Sequence, residues 1–389
     1  MAENNKNHAV VLAGSPLTNY ALYHRIRFSV GDPTALIELP TDNTPHRLLM
    51  IRNIEMDRAR KTSRADEVVC PEDFKSPNWQ AGDRELETAQ SVAECLRQKS
   101  ITSITVDRTF PAIYADYITN AGITIDCDPN LGVLDRRSKD QEELNHLRNA
   151  QAITEGCMRM ACETIANANA DASGQLLLDG SPLTSERMFK MIDVWFLENG
   201  GSTPHGSIVA GGPVGADCHD RGHGPLFTGQ PVIIDLFPFI HTTHYHGDCT
   251  RCVVHGDIPD EVTKMHATVL EAKSAAERAT RAGVTADAVH AETVKVIEAN
   301  GYAMGLPAEG APDTACNMTH GTGHGIGLDV HEPPLLDVGG PTLVEGDVIT
   351  IEPGLYCKAI GGIRIEDMLV VTKEGVENFN TLPTDLTWA

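Results

Sequence analysis

Val232-Ile233-Ile234-Asp235-Leu236-Phe237 is apolar at five of six positions, the composition of a buried strand, and its remaining residue is an acid. A buried carboxylate without a partner costs several kcal/mol, so it must be neutralised, hydrogen-bonded or bound to a cation. The pattern recurs three times, around Asp248 in Gly247–Val254, Glu352 in Val348–Gly354 and Glu366 in Gly362–Val370. One such acid is ordinarily a structural ion pair; four are hard to satisfy that way. Asp235 and Asp248 flank a turn-like Pro238–Tyr245, and Glu352 and Glu366 flank a tight turn centred on Ala359. Folded as antiparallel hairpins, each pair is expected face to face across its ladder. Like charges so placed repel unless something strongly positive lies between them.

A second stretch supplies the complement. Thr319–Pro334 packs His320, His324 and His331 among Gly321, Gly323, Gly325 and Gly327. Glycine lets the backbone approach a ligand or another segment closely and tolerates positive φ, and histidine is the commonest metal-binding side chain. A phosphate-cradling G-x-G-x-x-G fails at Ile326 and Leu328, and the Asp329–Pro334 run cannot open a helix. A tight turn with hydrogen-bonded histidines, or a metal site completed by the four acids, remain. Four carboxylates and the neutral nitrogen of His324 are balanced by two divalent cations. Such oxygen-rich ligation with one imidazole suits Mn²⁺, Co²⁺ or Zn²⁺. A metal pair can lower the pKa of a bridging water and give hydroxide near neutral pH, which is hydrolytic equipment.

Bulk properties narrow the partners. The formal charge of −23 argues against nucleic acid or an anionic membrane. No run has the roughly 18 apolar residues of a membrane span, and the polar start Met1–Asn7 does not lead into a signal segment. The ten cysteines are irregularly spaced and read as reduced thiols, so a cytoplasmic location is expected. Cys249-Thr250-Arg251-Cys252 resembles a C-x-x-C pair, but no second pair completes a zinc site, and positions i and i+3 of a strand face opposite ways.

With 389 residues, two domains are expected. Strand-like runs at Val10–Ala13, Thr34–Leu39, Leu48–Ile51, Ile101–Val106 and Ile123–Ile125 alternate with helical spacing over Arg84–Lys99 and between the last two strands. This α/β pattern carries no catalytic constellation. A charged hinge, Asp135–Glu143, follows, with a helix start expected at Ser138 and a helix running to about Ala166. Further helices are expected from Thr184 to Phe196, Asp260 to Arg281 and Ala286 to Asn300. The boundary falls near Arg136, giving domains 1–136 and 137–389.

Asp235, Asp248, the His320-x3-His324-x6-His331 run, Ile351-Glu352-Pro353-Gly354 and Gly362–Asp367 together resemble the pita-bread metallopeptidases, the group of prolidases, Xaa-Pro aminopeptidases, creatinases and methionine aminopeptidases. The resemblance covers roughly Arg137 to the C-terminus. The N-terminal part is similar by order and size to the extra domain of the prolidases, Xaa-Pro aminopeptidases and creatinases. The implied fold is α/β (α+β): a small N-terminal creatinase-like domain and a C-terminal pita-bread domain with an antiparallel sheet flanked by helices. The resemblance implies that Asp235 chelates one metal, His324 and Glu352 the other, and that Asp248 and Glu366 bridge. It implies Glu352 as the proton carrier, His331 as donor to the tetrahedral oxyanion, and a further histidine before the first aspartate: His219 by spacing, then His223.

Two departures stand out. The Asp235–Asp248 interval is about two residues longer than the family pattern suggests, and Asp235-Leu236-Phe237 replaces the Asp-x-Gly of many relatives. His241, His244 and His246 at that hairpin tip are either solvated or hydrogen-bonded loop residues, or, for His244 and His246, part of a substrate pocket. Arg364 shares a strand face with Glu366 and either pairs with a ligand carboxylate or binds the substrate's carboxylate. Arg251 is expected to be structural, and His320 to support the ligand loop. Tyr356 and Phe237 are plain core or the floor of a proline pocket. The resemblance thus implies a homodimeric, manganese-type dinuclear exopeptidase that cleaves the Xaa–Pro bond of short peptides, as aminopeptidase or dipeptidase. Its rivals are a metal-free creatinase-like C–N hydrolase and a catalytically silent binding protein on the same scaffold.

Overall fold

A computed structural model describes residues 6–388, which fall into two compact units, Met1–Arg136 and Arg137–Ala389. In the first, β1 (His8–Gly14), β2 (Thr34–Leu39), β3 (His46–Met50), β4 (Glu67–Val69), β5 (Ser103–Val106) and β6 (Thr124–Cys127) form one mixed sheet, in the order β4-β3-β2-β1-β5-β6. The strands alternate cleanly between two cores. Val11, Ala13, Ile37, Leu48 and Met50 pack against α3 (Arg84–Gln98) and α4 (Ala112–Asn120). Leu12, Leu36 and Leu49 point the other way, onto α1 (Tyr20–Ile26) and α2 (Met56–Thr62).

The second unit opens with α5 (Gln141–Ala166). Its cap is Asp140, whose side chain accepts from the Glu143 amide while Glu143 reaches back to the Asp140 amide. The expected start at Ser138 is therefore displaced: Ser138 and Lys139 are engaged elsewhere, by Glu345 and Glu332, and the reciprocal capping box fixes the first turn. α6 (Ser185–Glu198) is capped by Thr184; α7 (Asp260–Ala279) and α8 (Ala286–Ala299) follow.

Three of this unit's sheets position the site. Ile208–Gly211, Pro231–Leu236 and Cys249–Val254 make an antiparallel three-stranded sheet. Val232, Ile234, Leu236, Cys249 and Val253 face α5 and α6, whereas Ile233, Cys252 and Val254 face α7. Cys249 and Cys252 thus lie on opposite faces.

The last hairpin links the other two sheets. Val348–Ile351 and Asp367–Val371 pair in a five-stranded sheet, and Gly354–Cys357 and Gly361–Arg364 pair in a four-stranded one. Both arms cross between sheets at Glu352-Pro353 and Ile365-Glu366. These acids therefore sit at interruptions, not inside continuous strands. Register is kept across the break, since Ile351 opposes Asp367 and Gly354 opposes Arg364.

Candidate metal centre

The four acids converge on one cavity of about 340 Å³, lined also by His219, His320, His324, His331, Arg364, Asp337 and the apolar side chains of Ile208, Phe237, Val330 and Leu335. Register explains half of this directly, because Glu352 and Glu366 are opposite one another across the interrupted hairpin. The first pair differs from the sequence expectation. Asp235 opposes Thr250, and Asp248 precedes the strand that begins at Cys249 opposite Leu236. Asp248 and Thr250 share a face, so Asp248 meets Asp235 diagonally rather than straight across.

The glycines of Thr319–Pro334 serve close approach rather than unusual φ; none of Gly321, Gly323, Gly325 and Gly327 has positive φ. A Cβ on Gly323 would lie 2.1 Å from the Thr350 carbonyl oxygen. This contact threads Gly323–Gly325 tightly against the Val348–Ile351 strand and aims His324 into the cavity. His324 donates its Nδ1 hydrogen to the Gly325 carbonyl at 3.1 Å, which leaves Nε2 as a lone pair. That lone pair lies 3.3 Å from Glu352 Oε1 and 3.7 Å from Asp248 Oδ2, acceptor facing acceptor.

Two threonines orient the acids. Thr250 donates to Glu366 Oε2 at 2.7 Å while accepting from Arg364 Nε at 3.3 Å. Thr350 donates to Glu352 Oε1 at 3.2 Å and accepts from the His324 amide at 3.1 Å. Thr350 lies two residues before the acid it serves, a spacing from which its role was readable; Thr250 serves Glu366 from a different strand, which spacing along the chain does not reveal. Among the described residues Arg364 is the one Lys or Arg on the lining, and every nitrogen is engaged: Nη2 with Asp235 Oδ2 at 2.7 Å, Nη1 with the Tyr356 hydroxyl at 2.8 Å, Nε with Thr250. Tyr356 in turn meets His320 Nε2 at 2.7 Å, and His320 Nδ1 donates to the Gly321 carbonyl. The result is a directed chain from guanidinium through phenol to imidazole. Tyr356 is therefore not a wall of this cavity, whereas Phe237 is.

Charge does not balance within the protein. Asp235, Asp248, Glu352 and Glu366 face one guanidinium, and burial holds His324 and His320 below the ordinary imidazole value, so neither adds a positive charge. Burial, followed by the neighbouring Glu366, Asp235 and Glu352, pushes the Asp248 carboxyl well above its usual range. Glu366 is raised by burial and then by Glu352 and Asp235; Glu352 is raised chiefly by burial. Asp235 Oδ1 is buried with no hydrogen-bond partner among the described residues. Asp248, His324 and Glu366 each offer a ligand atom within 4.8 Å of the others. Surplus acid, an orphaned carboxylate oxygen and an imidazole with its lone pair inward fit a divalent metal.

The other sequence candidates divide. His219 and His331 line the cavity, and the His331 ring stands edge-on to His324 at 4.3 Å. His223 does not line it and pairs loosely with Asp220. His244 and His246 do not line it either and are not solvated: both are buried, their rings 5.3 and 5.4 Å from that of Phe239. His246 nevertheless adjoins the histidine loop, its amide donating to the Gly327 carbonyl. His241 is exposed and bonds Ser202. Arg251 is wholly buried and structural, as expected, on the strand face away from the cavity.

A buried histidine–carboxylate centre in the bend of a two-sheet hairpin defines a metallohydrolase-type site, and residues 145–373 match the model of metallopeptidase family M24. The chain belongs to that family. It is 36% identical over 184 residues to a probable dipeptidase PepE of Mycobacterium bovis, 46% of this chain and 45% of the relative. It is 29% identical over 251 residues to an Xaa-Pro dipeptidase of Pyrococcus furiosus, 64% of each. The chain thus spans about half the length of the curated relatives it matches. The crystal structure of a prolidase from Pyrococcus horikoshii superposes with a TM-score of 0.77 at 24% identity, over 98% of this chain and 96% of that one, a likeness of fold. No helix among the described residues is long and apolar enough to cross a membrane.

Proposed function

We propose that the chain is a dinuclear metal-dependent exopeptidase that hydrolyses the Xaa–Pro bond at the N-terminus of peptides. The observation that carries this is the convergence of Asp235, Asp248, Glu352 and Glu366 around the inward lone pair of His324, with Arg364 as the sole internal counter-charge. Those five residues would hold two divalent ions, Mn²⁺ first by donor type and Co²⁺ or Zn²⁺ next. The chemistry supplied with such a pair bound is a nucleophile made from water near neutral pH and polarisation of the peptide carbonyl.

The chain's own groups account for the rest. Glu352 Oε1, steadied by Thr350, takes the proton of the attacking water and delivers it to the departing proline nitrogen. His331, on the cavity wall beside His324, donates to the oxyanion, and His219 contacts the substrate from the opposite chain segment. Arg364 positions Asp235 rather than gripping substrate, since its donors are already committed. Ile208, Phe237, Val330 and Leu335 give a proline ring apolar surface. A homodimer and an intracellular peptide pool complete the proposal. The rival creatinase-like and silent-scaffold readings require these acids to be satisfied within the protein, whereas Asp235 Oδ1 has no partner and one guanidinium faces four carboxylates among the described residues. Metal analysis of purified protein, with an Ala-Pro assay before and after chelation and in His324→Ala, tests the reading. Two metal equivalents and activity abolished by either treatment are expected; full activity after exhaustive chelation ends it.

A further inference from the structure

Beside the metal cavity lies a second, of about 570 Å³, within the roughly 300–1,000 Å³ of pockets that enclose small ligands. The two share Cys218 on their linings. The partition between them is thin. Thr319 lines the second cavity, its hydroxyl 3.8 Å from Cys218 Sγ, and the next residue, His320, lines the first. Tyr356 lines the second while its hydroxyl bonds His320. The far wall is the Leu306–Pro312 loop, whose Leu306 is 82% exposed beside Pro307, Ala308 and Ala311. Asp217, Glu309 and Lys358 supply the polar lining, and Lys358 has no ion-pair partner among the described residues.

The first cavity, by contrast, is ill suited to the carboxylate end of a dipeptide. Among the described residues its one guanidinium is consumed by Asp235, Thr250 and Tyr356, and the other charged side chains are acids, most of them assigned above to the metals. With the acids taken up by the metals, a free carboxylate two bonds beyond the scissile amide would find no uncommitted Lys or Arg on that lining. An uncharged peptide continuation meets no such penalty and finds apolar surface next door. We propose that the second cavity receives the residues following the proline, so that the preferred substrates are oligopeptides carrying apolar residues after an N-terminal Xaa-Pro. This rests on the Xaa–Pro peptidase reading and decides between its aminopeptidase and dipeptidase forms. Lys358 then meets the carboxylate of a peptide long enough to reach it.

The test compares kcat/KM of the metal-loaded protein for Ala-Pro and Ala-Pro-Leu-Leu-Ala, in the parent, Ala311→Trp and Ala308→Trp. Ala308 is exposed on the loop, so its variant folds even where a half-buried tryptophan at 311 is not tolerated; thermal melts check both. The parent is expected to favour the pentapeptide at least tenfold, and either tryptophan to cut that ratio at least tenfold. Cleavage with Ala-Pro preferred, or with a ratio that neither folded variant moves, overturns this inference alone. Cleavage of neither peptide overturns the peptidase reading, and this inference with it.

Discussion

Glu366 and Asp367 are chain neighbours, both buried, and their surroundings are opposite. Asp367 is neutralised by the protein: Arg251 reaches Oδ1 at 2.8 Å, and Lys273 and Asn378 reach Oδ2 at 2.6 and 2.7 Å. Although burial alone would raise it, Arg251 and Lys273 hold its carboxyl below the ordinary value. Glu366, on the other face, has a threonine hydroxyl and two nearby acids, and is pushed up. Buried acid is thus not itself a mark of function in this fold. What distinguishes the cavity face is that, among the described residues, one guanidinium, on Asp235, answers four acids there.

The comparison can be broken most forcefully by neutralising each side. Glu366→Gln should cost at least a thousandfold in Xaa-Pro hydrolysis, about 4 kcal/mol, while the chelated variant melts no lower than the chelated parent, since a repulsion has been removed. Asp367→Asn should do the reverse, leaving Arg251 buried without its counter-charge and Lys273 with Glu277 alone, and costing about 3–5 kcal/mol of unfolding free energy in denaturant titrations. Equal stability of Asp367→Asn and the parent would refute the contrast. Gentler is the pH dependence. A carboxyl whose folded value lies above its unfolded one adds stability in acid and withdraws it as pH rises through the raised value. Chelated protein should therefore lose stability as pH climbs above about 4, by up to about 1.4 kcal/mol per unit for each proton released. Asp367, lowered, acts with the opposite slope below about 4. Metal-loaded protein should lack the first slope. The smallest effect is expected from Thr350→Val, which removes one hydrogen bond to Glu352: about 0.5–1.5 kcal/mol, read as a severalfold weaker metal affinity by competition with a chelator.

The positions of the acids were legible because each interrupts an apolar alternation, and the midpoint at Ala359 put Glu352 opposite Glu366. The Asp235–Asp248 offset was not, because the residues between Pro238 and Gly247 form a second small pairing, with Phe239–Ile240 against Gly201–Ser202, instead of a simple turn. His244 and His246 misled for the same reason: polar residues at a hairpin tip ordinarily face water, and here the tip folds back over Phe239. The second cavity depends on where the Leu306–Pro312 loop comes to rest, and periodicity does not encode that.

Glu352 and Glu366 occupy the two points at which one hairpin passes from a five-stranded sheet into a four-stranded one. A cation held among these acids would be a rivet through the joint, gripping the arms where neither sheet's ladder does. The stabilisation it supplied would also resist separation of the two layers and grow with the logarithm of the free metal concentration. Rigidity at the joint would then be set by mineral supply as much as by sequence.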